Sequence, residues 1–410
     1  MPDHNGLRLI AFYLPQFHPI PENDEWWGAG FTEWRNVAKA RPRFPGHYQP
    51  HLPGDLGFYD LRLPEVREAQ AKLARQHGIY GFCYYHYWFN GRRILEKPFA
   101  EVLASGKPDF PFCLCWANEN WTRVWDGGTQ NVLLEQHYSP EDDLAHIRAL
   151  MPALADPRYI RVAGKALLLV YRTELLPQPE RTAEIWRNEV AKAGLGELYL
   201  ARVENFVTRV VPASIGFDAA VEFAPHGAYV GKLKFRAPVH RLLARLGLMP
   251  KAYLTNKVAN YRALMLGMLR KSDPPFRRFR CVSPMWDNSA RRRTGAEIYV
   301  GSTPMLYQAW LTEVARRTIA KVPLDERIVF VNAWNEWAEG SHLEPDLRWG
   351  RAYLEATRAV LNTVNAEVAE ATPAAEQTSR RAGAKILYWR VLEFLAEQRE
   401  LLINILRRRG

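Results

Sequence analysis

Glu336 and Glu339 lie three residues apart in the run Trp334-Asn335-Glu336-Trp337-Ala338-Glu339-Gly340 of a 410-residue chain. A helical turn sets residues i and i+3 on one face, with Cβ atoms about 5–6 Å apart. Carboxyl groups held so close resist ionising together, so one keeps its proton while the other acts as a base at neutral pH. That is the pair needed to make or break a glycosidic bond: a proton donor at the leaving oxygen, and a base or nucleophile. Most ExxE spacings are solvated helix faces. Two flanking tryptophans and a position at the end of an apolar run set this one apart.

Aromatic residues carry the same suggestion. Trp26, Trp27 and Trp34 fall in a long first loop, Tyr84, Tyr85, Tyr87 and Trp88 lie at the end of a second apolar run, and Trp116, Trp121 and Trp125 at the end of a third. Part of this set is expected to be core packing. The rest alternates with Asn, Glu, His and Asp, which a dry core does not tolerate. Flat apolar faces beside amides and carboxylates suit sugar rings. His18, His86, His226 and Asp287 could gather around a metal, but no short ligand spacing supports that, and hydrogen-bonded histidines with no metal and no cofactor are the expectation. Cys83, Cys113, Cys115 and Cys281 lie in apolar runs without CxxC pairing, as buried free thiols of a reducing compartment do.

The positioning elements follow from periodicity. Eight short apolar runs, at 9–14, 79–85, 112–116, 166–171, 198–203, 219–223, 280–285 and 328–333, alternate with amphipathic helical patterns. Near-continuous apolarity suits parallel strands covered on both faces. Helix boundaries are marked by Pro64 and Gly78, by Ser139 before acids, and by patterns at 179–193 and 303–318. A doubly wound sheet shares this alternation, but neither GxGxxG nor GxxxxGK[ST] is present. The fold expected is α/β, a (β/α)8 TIM barrel, whose strand ends converge on one face. Those ends carry Gln16 and His18; His86, Tyr87, Trp88 and Asn90; Asn118, Glu119, Asn120 and Trp121; Arg172; Glu204 and Asn205; Glu222 and His226; Trp286, Asp287 and Asn288; and Asn335, Glu336, Trp337 and Glu339.

With 48% apolar and 24% charged residues, the composition excludes disorder as the main state. The net charge of +11 is localised: residues 231–280 hold 5 Lys and 8 Arg against Asp273, leaving 42 basic and 43 acidic side chains elsewhere. The domains expected are a barrel over 1–365, a basic amphipathic helical insertion at 228–279 between strands 6 and 7, a linker at 366–383, and an amphipathic helix at 384–410 ending in Arg407, Arg408 and Arg409. That tail reads as a helix packed on the barrel or a twin subunit, or as one lying on an anionic membrane. No secretory signal and no apolar stretch of spanning length is visible, so the expectation is a cytoplasmic protein that could touch a membrane without crossing it through 231–280 and 384–410, the alternative for 231–280 being a basic lid that only packs and solubilises. Nucleic acid is not expected as a partner, since the basic segment is Leu-rich and the remainder is electrically balanced.

The motifs AFYLPQFHPIPENDEWWGAGFTEW, GFCYYHYWFNGRRILEKP, FCLCWANENWTRVWDG and NAWNEWAEGSHLEPD resemble the WbsX family, described as glycosyltransferases of bacterial surface-polysaccharide gene clusters and related to glycoside hydrolase family 99. The resemblance covers most of residues 7–365. Family 99 enzymes are (β/α)8 barrels that cleave α-mannosidic bonds with retention. The resemblance implies that Glu336 is the base assisting attack by the sugar's own 2-hydroxyl, and that Glu339 is the acid/base at the leaving oxygen. Glu344 stands where the family also has Glu, and Tyr13 and Glu33 are implied substrate contacts. Ala338 replaces the His usual in the hydrolases, so mannose specificity does not carry over.

The expected function is therefore glycosyl transfer to sugar or water in O-antigen or related lipopolysaccharide metabolism, on a glycan or lipid-linked oligosaccharide. The expected catalytic residues are Glu336 and Glu339. The expected substrate contacts are Tyr13, Glu33, Trp34, His86, Tyr87, Trp88, Asn118, Glu119, Trp121, Glu204, Glu222, Trp286, Asn335, Trp337 and Glu344. A cytoplasmic hydrolase and a non-catalytic glycan-binding barrel are the alternatives.

Overall fold

A computed structural model of the chain describes residues 6–122, 132–204, 210–226 and 233–371. The eight apolar runs form β1 (Arg8–Tyr13), β2 (Ile79–Phe89), β3 (Phe112–Trp116), β4 (Lys165–Val170), β5 (Leu198–Glu204), β6 (Ala219–Glu222), β7 (Arg278–Val282) and β8 (Ile328–Val331). Each pairs in parallel with the next, and β1 pairs with both β2 and β8, in the registers Leu9↔Ile79 and Arg8↔Ile328. An open sheet would leave two edges; this one has closed into a (β/α)8 barrel. Every residue of β3 and β8 is buried, as strands covered on both faces require. Phe12 stacks between Tyr85 and Phe330 with ring centroids 5.6 and 5.3 Å away.

The helices that start at Pro64, Pro140, Pro179 and Pro304 begin where the sequence marks them. α1 (Pro64–Gln76), α2 (Lys97–Ser105), α3 (Pro140–Leu154), α4 (Pro179–Lys192), α5 (Pro238–Arg245), α6 (Tyr261–Arg270), α7 (Pro304–Lys321) and α8 (Ala352–Ala371) surround the strands or lie in the insertion. Ser139 Oγ accepts the Asp142 N–H at 3.1 Å and Thr303 Oγ1 the Leu306 N–H at 3.2 Å. Each cap satisfies a first-turn donor and contributes about 1 kcal/mol. The four cysteines are buried free thiols. Among the described residues no helix is long and apolar enough to cross a membrane.

Three segments differ from the expectation. β2 continues to Phe89 and turns back into an antiparallel strand, Arg92–Ile94, so residues 86–88 are strand rather than loop. The insertion adds a short helix, Ala252–Thr255, and a strand, Lys257–Asn260, paired in parallel with Glu297–Val300. That strand buries only Val258 and Ala259, too short a pattern to show a period of two. α8 carries the chain past residue 365 into the stretch read as linker, and 372–410, with the expected tail helix, lies outside the described residues.

Candidate active site

Beyond β8 the chain folds over the barrel mouth. Asn335–Glu336 pairs antiparallel with Ser341–His342, and Trp337–Glu339 forms one 3₁₀ turn between them. Three residues per turn eclipse positions i and i+3, which sets Glu339 over Glu336. Asn335 ties the turn to the end of β1, accepting the Leu14 N–H at 2.8 Å and donating to its carbonyl at 3.0 Å. Trp337 stacks on His342 at 3.8 Å between centroids, and its Nε1 donates to Glu344 at 2.7 Å. The middle of the motif is thus anchored in protein, while both flanking carboxylates reach a cavity.

Gly340 ends the turn at φ +57°, where a Cβ would come within 3.1 Å of the Asp287 backbone N and O. Asp287 cannot retreat easily: its N–H donates to the Glu339 carbonyl at 2.7 Å, and its carboxylate is held by His47 at 2.5 Å and Gln49 at 3.0 Å. Gly340→Ala is expected to cost about 1–3 kcal/mol of stability and to displace Glu339, read as a lower thermal midpoint together with reduced turnover.

The centre of the site is Arg291, in the loop after β7. Its Nη2 lies 3.0 Å from Glu336 Oε1, its Nη1 2.9 Å from Glu339 Oε1, and its Nε 3.1 Å from Glu33 Oε2. One buried guanidinium therefore holds three carboxyl groups from both ends of the barrel sequence. Burial pushes the Glu336 carboxyl well above the ordinary carboxylate range, Arg291 opposes the rise, and Glu339 and Glu33 add to it. Glu339 is raised as well, again by burial first and against the pull of Arg291. Glu336 is the more enclosed of the two, its side chain 6% exposed against 24%. A cluster with one cation and three carboxyl groups retains a proton that separate carboxylates would release.

These groups open on a cavity of about 660 Å³. Its wall includes Trp26, Trp27, Tyr85, Tyr87, Trp121, Tyr171 and Phe223, interspersed with Gln16, Asn23, Glu33, Glu119, Asn120, Arg172, Arg291 and Arg292. Trp121 meets Trp26 and Tyr87 edge-on at 5.7 and 5.3 Å. Arg172 pairs with Glu119, whose carboxyl burial raises, and with Glu174.

Of the expected residues, Glu33, Tyr87, Glu119, Trp121, Glu336 and Glu339 line this cavity. The others are placed elsewhere among the described residues. In β2 the alternation of side chains aims Tyr85 and Tyr87 at the cavity and sends His86 and Trp88 to the other side. There His86 meets His146 at 3.0 Å and Trp88 donates to Asp142, both on α3. Asn118 is buried beneath the wall, holding the Arg172 backbone at 2.8 Å through N–H and carbonyl. Glu204 and Glu222 enter a buried ion network with Lys271, Arg278 and Arg280. Tyr13 donates to Gln70 at 2.7 Å, Gln70 donates to Glu344 at 2.6 Å, and Glu344 also accepts from Tyr59 at 2.7 Å. Burial pushes Glu344 up to about 7. Trp34 packs against Trp337 and donates to the Tyr59 carbonyl at 2.8 Å, and Trp286 packs edge-on with Phe223. Ala338 is fully buried behind the turn.

Nor do His18, His86, His226 and Asp287 gather: His86 faces His146 and Asp287 faces His47. The one group with metal-like spacing among the described residues is His51, His342 and Asp346. It is satisfied internally, by a His51–His342 bond at 3.0 Å and by Tyr48 on Asp346 at 3.0 Å. Arg291 is absent from the expected site because it lies three residues past Asn288, beyond the β7 strand end; its signal in the sequence is the basic triplet Arg291-Arg292-Arg293.

Residues 9–357 match the family described as Glycosyltransferase WbsX. The chain belongs to the WbsX family. This WbsX chain is 46% identical over 361 residues to an uncharacterized protein, WxcX, of Xanthomonas campestris pv. campestris, covering 88% of this chain and 50% of that protein. It therefore spans about half the length of the curated relatives it matches. Its fold is shared with the glycoside hydrolase family 99 endo-alpha-mannosidase from Bacteroides thetaiotaomicron, at TM-score 0.53 and 14% identity over 88% of this chain and 98% of that one. A glycoside hydrolase-like protein is similar at TM-score 0.53 and 15% identity, over 87% and 94%.

Proposed function

We propose that this WbsX chain is a carbohydrate-active enzyme that makes or breaks a glycosidic bond with Glu336 and Glu339. The observation that carries the reading is the Arg291 cluster: one buried guanidinium on three carboxyl groups at the wall of an aromatic-lined cavity. Arg291 keeps part of the cluster anionic, while burial and mutual repulsion keep the remainder protonated. In the proposed step Glu336 takes the proton of the sugar's 2-hydroxyl as that oxygen bonds to the anomeric carbon. The bond to the leaving oxygen breaks as Glu339 gives it a proton. Glu339 then takes a proton from the incoming hydroxyl, which opens the strained ring at the anomeric carbon, and Glu336 returns the first proton to the 2-oxygen. Retention follows from two displacements at one carbon. The reacting state is the one in which the shared proton sits on Glu339, while Arg291 Nη2, 3.0 Å from Glu336 Oε1, neutralises an ionised Glu336.

Family membership and the resemblance in the sequence favour a sugar hydroxyl over water as the final acceptor, on lipid-linked glycans of surface-polysaccharide or O-antigen assembly at the cytoplasmic face of the inner membrane. The test is product analysis by mass spectrometry after incubation with glycans of that pathway, using the Glu336→Gln/Glu339→Gln protein as blank. An elongated or transferred glycan is the expected product. Free sugar alone would make the protein a hydrolase, and binding without any product would make it a glycan-binding barrel.

A further inference from the structure

The segment between β6 and β7 carries nearly all of the chain's surplus charge, but its two halves are used differently. In the second half Lys271 and Arg278 bind Glu204, Arg280 binds Glu222, and Arg277 binds Glu326. These cations are neutralised by carboxylates of the barrel and of the stretch before β8. In the first half Arg241, Arg245 and Lys251 have no carboxylate partner among the described residues, and no Asp or Glu occurs between residue 231 and Asp273.

α5 and the turn after it add a second property. Val239, Leu242 and Leu246 follow the spacing i, i+3, i+7 and share one helical face, with Arg245 along its flank and Arg241 further round the helix. That face points outward: Val239 and Leu242 are 55% exposed, Leu246 62%, and Leu248 in the following turn 72%. The helix rests on the protein through Ala244, which is 2% exposed. Scattered apolar residues on a surface need no explanation, but four together, rimmed by unpaired cations, mark a contact surface.

We propose that this patch docks on an anionic lipid bilayer, with Val239, Leu242, Leu246 and Leu248 entering the headgroup–acyl boundary while Arg241 and Arg245 meet lipid phosphates. A bilayer surface supplies both complements at once, negative charge above apolar chains. A second copy of the chain supplies an apolar face but no negative charge, because the patch that would meet it carries the same arginines and no Asp or Glu. The insertion departs from the C-terminal end of β6, next to Phe223 of the cavity wall. The docking surface stands without the glycosyl chemistry, and its test needs no turnover.

The full chain is to be co-sedimented with vesicles of phosphatidylglycerol and phosphatidylcholine, and with phosphatidylcholine alone. Binding to the anionic vesicles alone is expected, with affinity falling about tenfold or more in Leu242→Asp/Leu246→Asp. Arg241→Gln/Arg245→Gln is expected to weaken binding and flatten its dependence on salt. Both variants should keep the parent's thermal midpoint, since the replaced side chains stand in solvent. Three results would overturn the proposal: no binding by the parent chain, equal binding by both variants, or a dimer in sedimentation that the leucine variant splits while vesicles bind neither.

Discussion

Glu339→Gln is expected to lower turnover by about 10²–10⁴-fold while glycan binding is retained, because the amide keeps the size and one acceptor of the carboxyl group but cannot exchange a proton. Glu336→Gln is expected to fall by a similar factor. The double variant should be little worse than either single one, since in the proposed step the two groups serve consecutive parts of one proton circuit and their effects do not add. Calorimetry on a pathway glycan separates this outcome from loss of the site: unchanged affinity with lost turnover supports the acid/base roles, whereas unchanged turnover removes them. The rate should show a bell-shaped pH dependence, with its acid limb above the ordinary carboxylate range, because burial raises both carboxyl groups.

Replacing Arg291 should have the broadest effect. Its guanidinium is held by Glu33, Glu336 and Glu339, with its side chain only 9% exposed. Arg291→Met keeps most of the volume and leaves three carboxyl groups facing one another. Removing one partner of a buried ion cluster typically costs about 3–5 kcal/mol. The loss should depend on pH with a definite sign. Glu336 and Glu339 bind protons more tightly folded than unfolded, so their contribution to stability falls as pH rises through the window from the ordinary carboxylate range to their raised values. Without the guanidinium both rise further and the window widens upward. The variant should therefore be most destabilised at about pH 8 and recover part of its stability at about pH 5, where the unpaired carboxyl groups take up protons. Denaturant midpoints at the two pH values measure this, and equal losses at both would show that Arg291 does not neutralise the cluster. The acid limb of any residual activity should move to higher pH, since the base ionises later.

Much of this protein was legible because its signals are local. A strand covered on both faces must be apolar along its length, and eight such runs between amphipathic helices leave few folds to choose from. Glu336 and Glu339 share one turn, so their proximity is a matter of backbone geometry and needs no tertiary contact. The strand-end residues were harder. His86 and Tyr87 are neighbours in sequence, yet a period of two puts one on α3 and the other on the cavity, and that could be read only by knowing that β2 continues to Phe89.

The barrel, the closeness of the two carboxylates and the location of the surplus charge follow from residue type and short-range spacing alone. The tertiary structure alone decided that Glu33 and Arg291, 258 residues apart, meet at 3.1 Å, because only closure of the sheet between β1 and β8 brings the first loop against the last ones. It also decided how the basic insertion divides. Charges near β7 are drawn onto Glu204 and Glu222, where burial without a partner would be costly, while those around α5 remain at the surface beside exposed leucines.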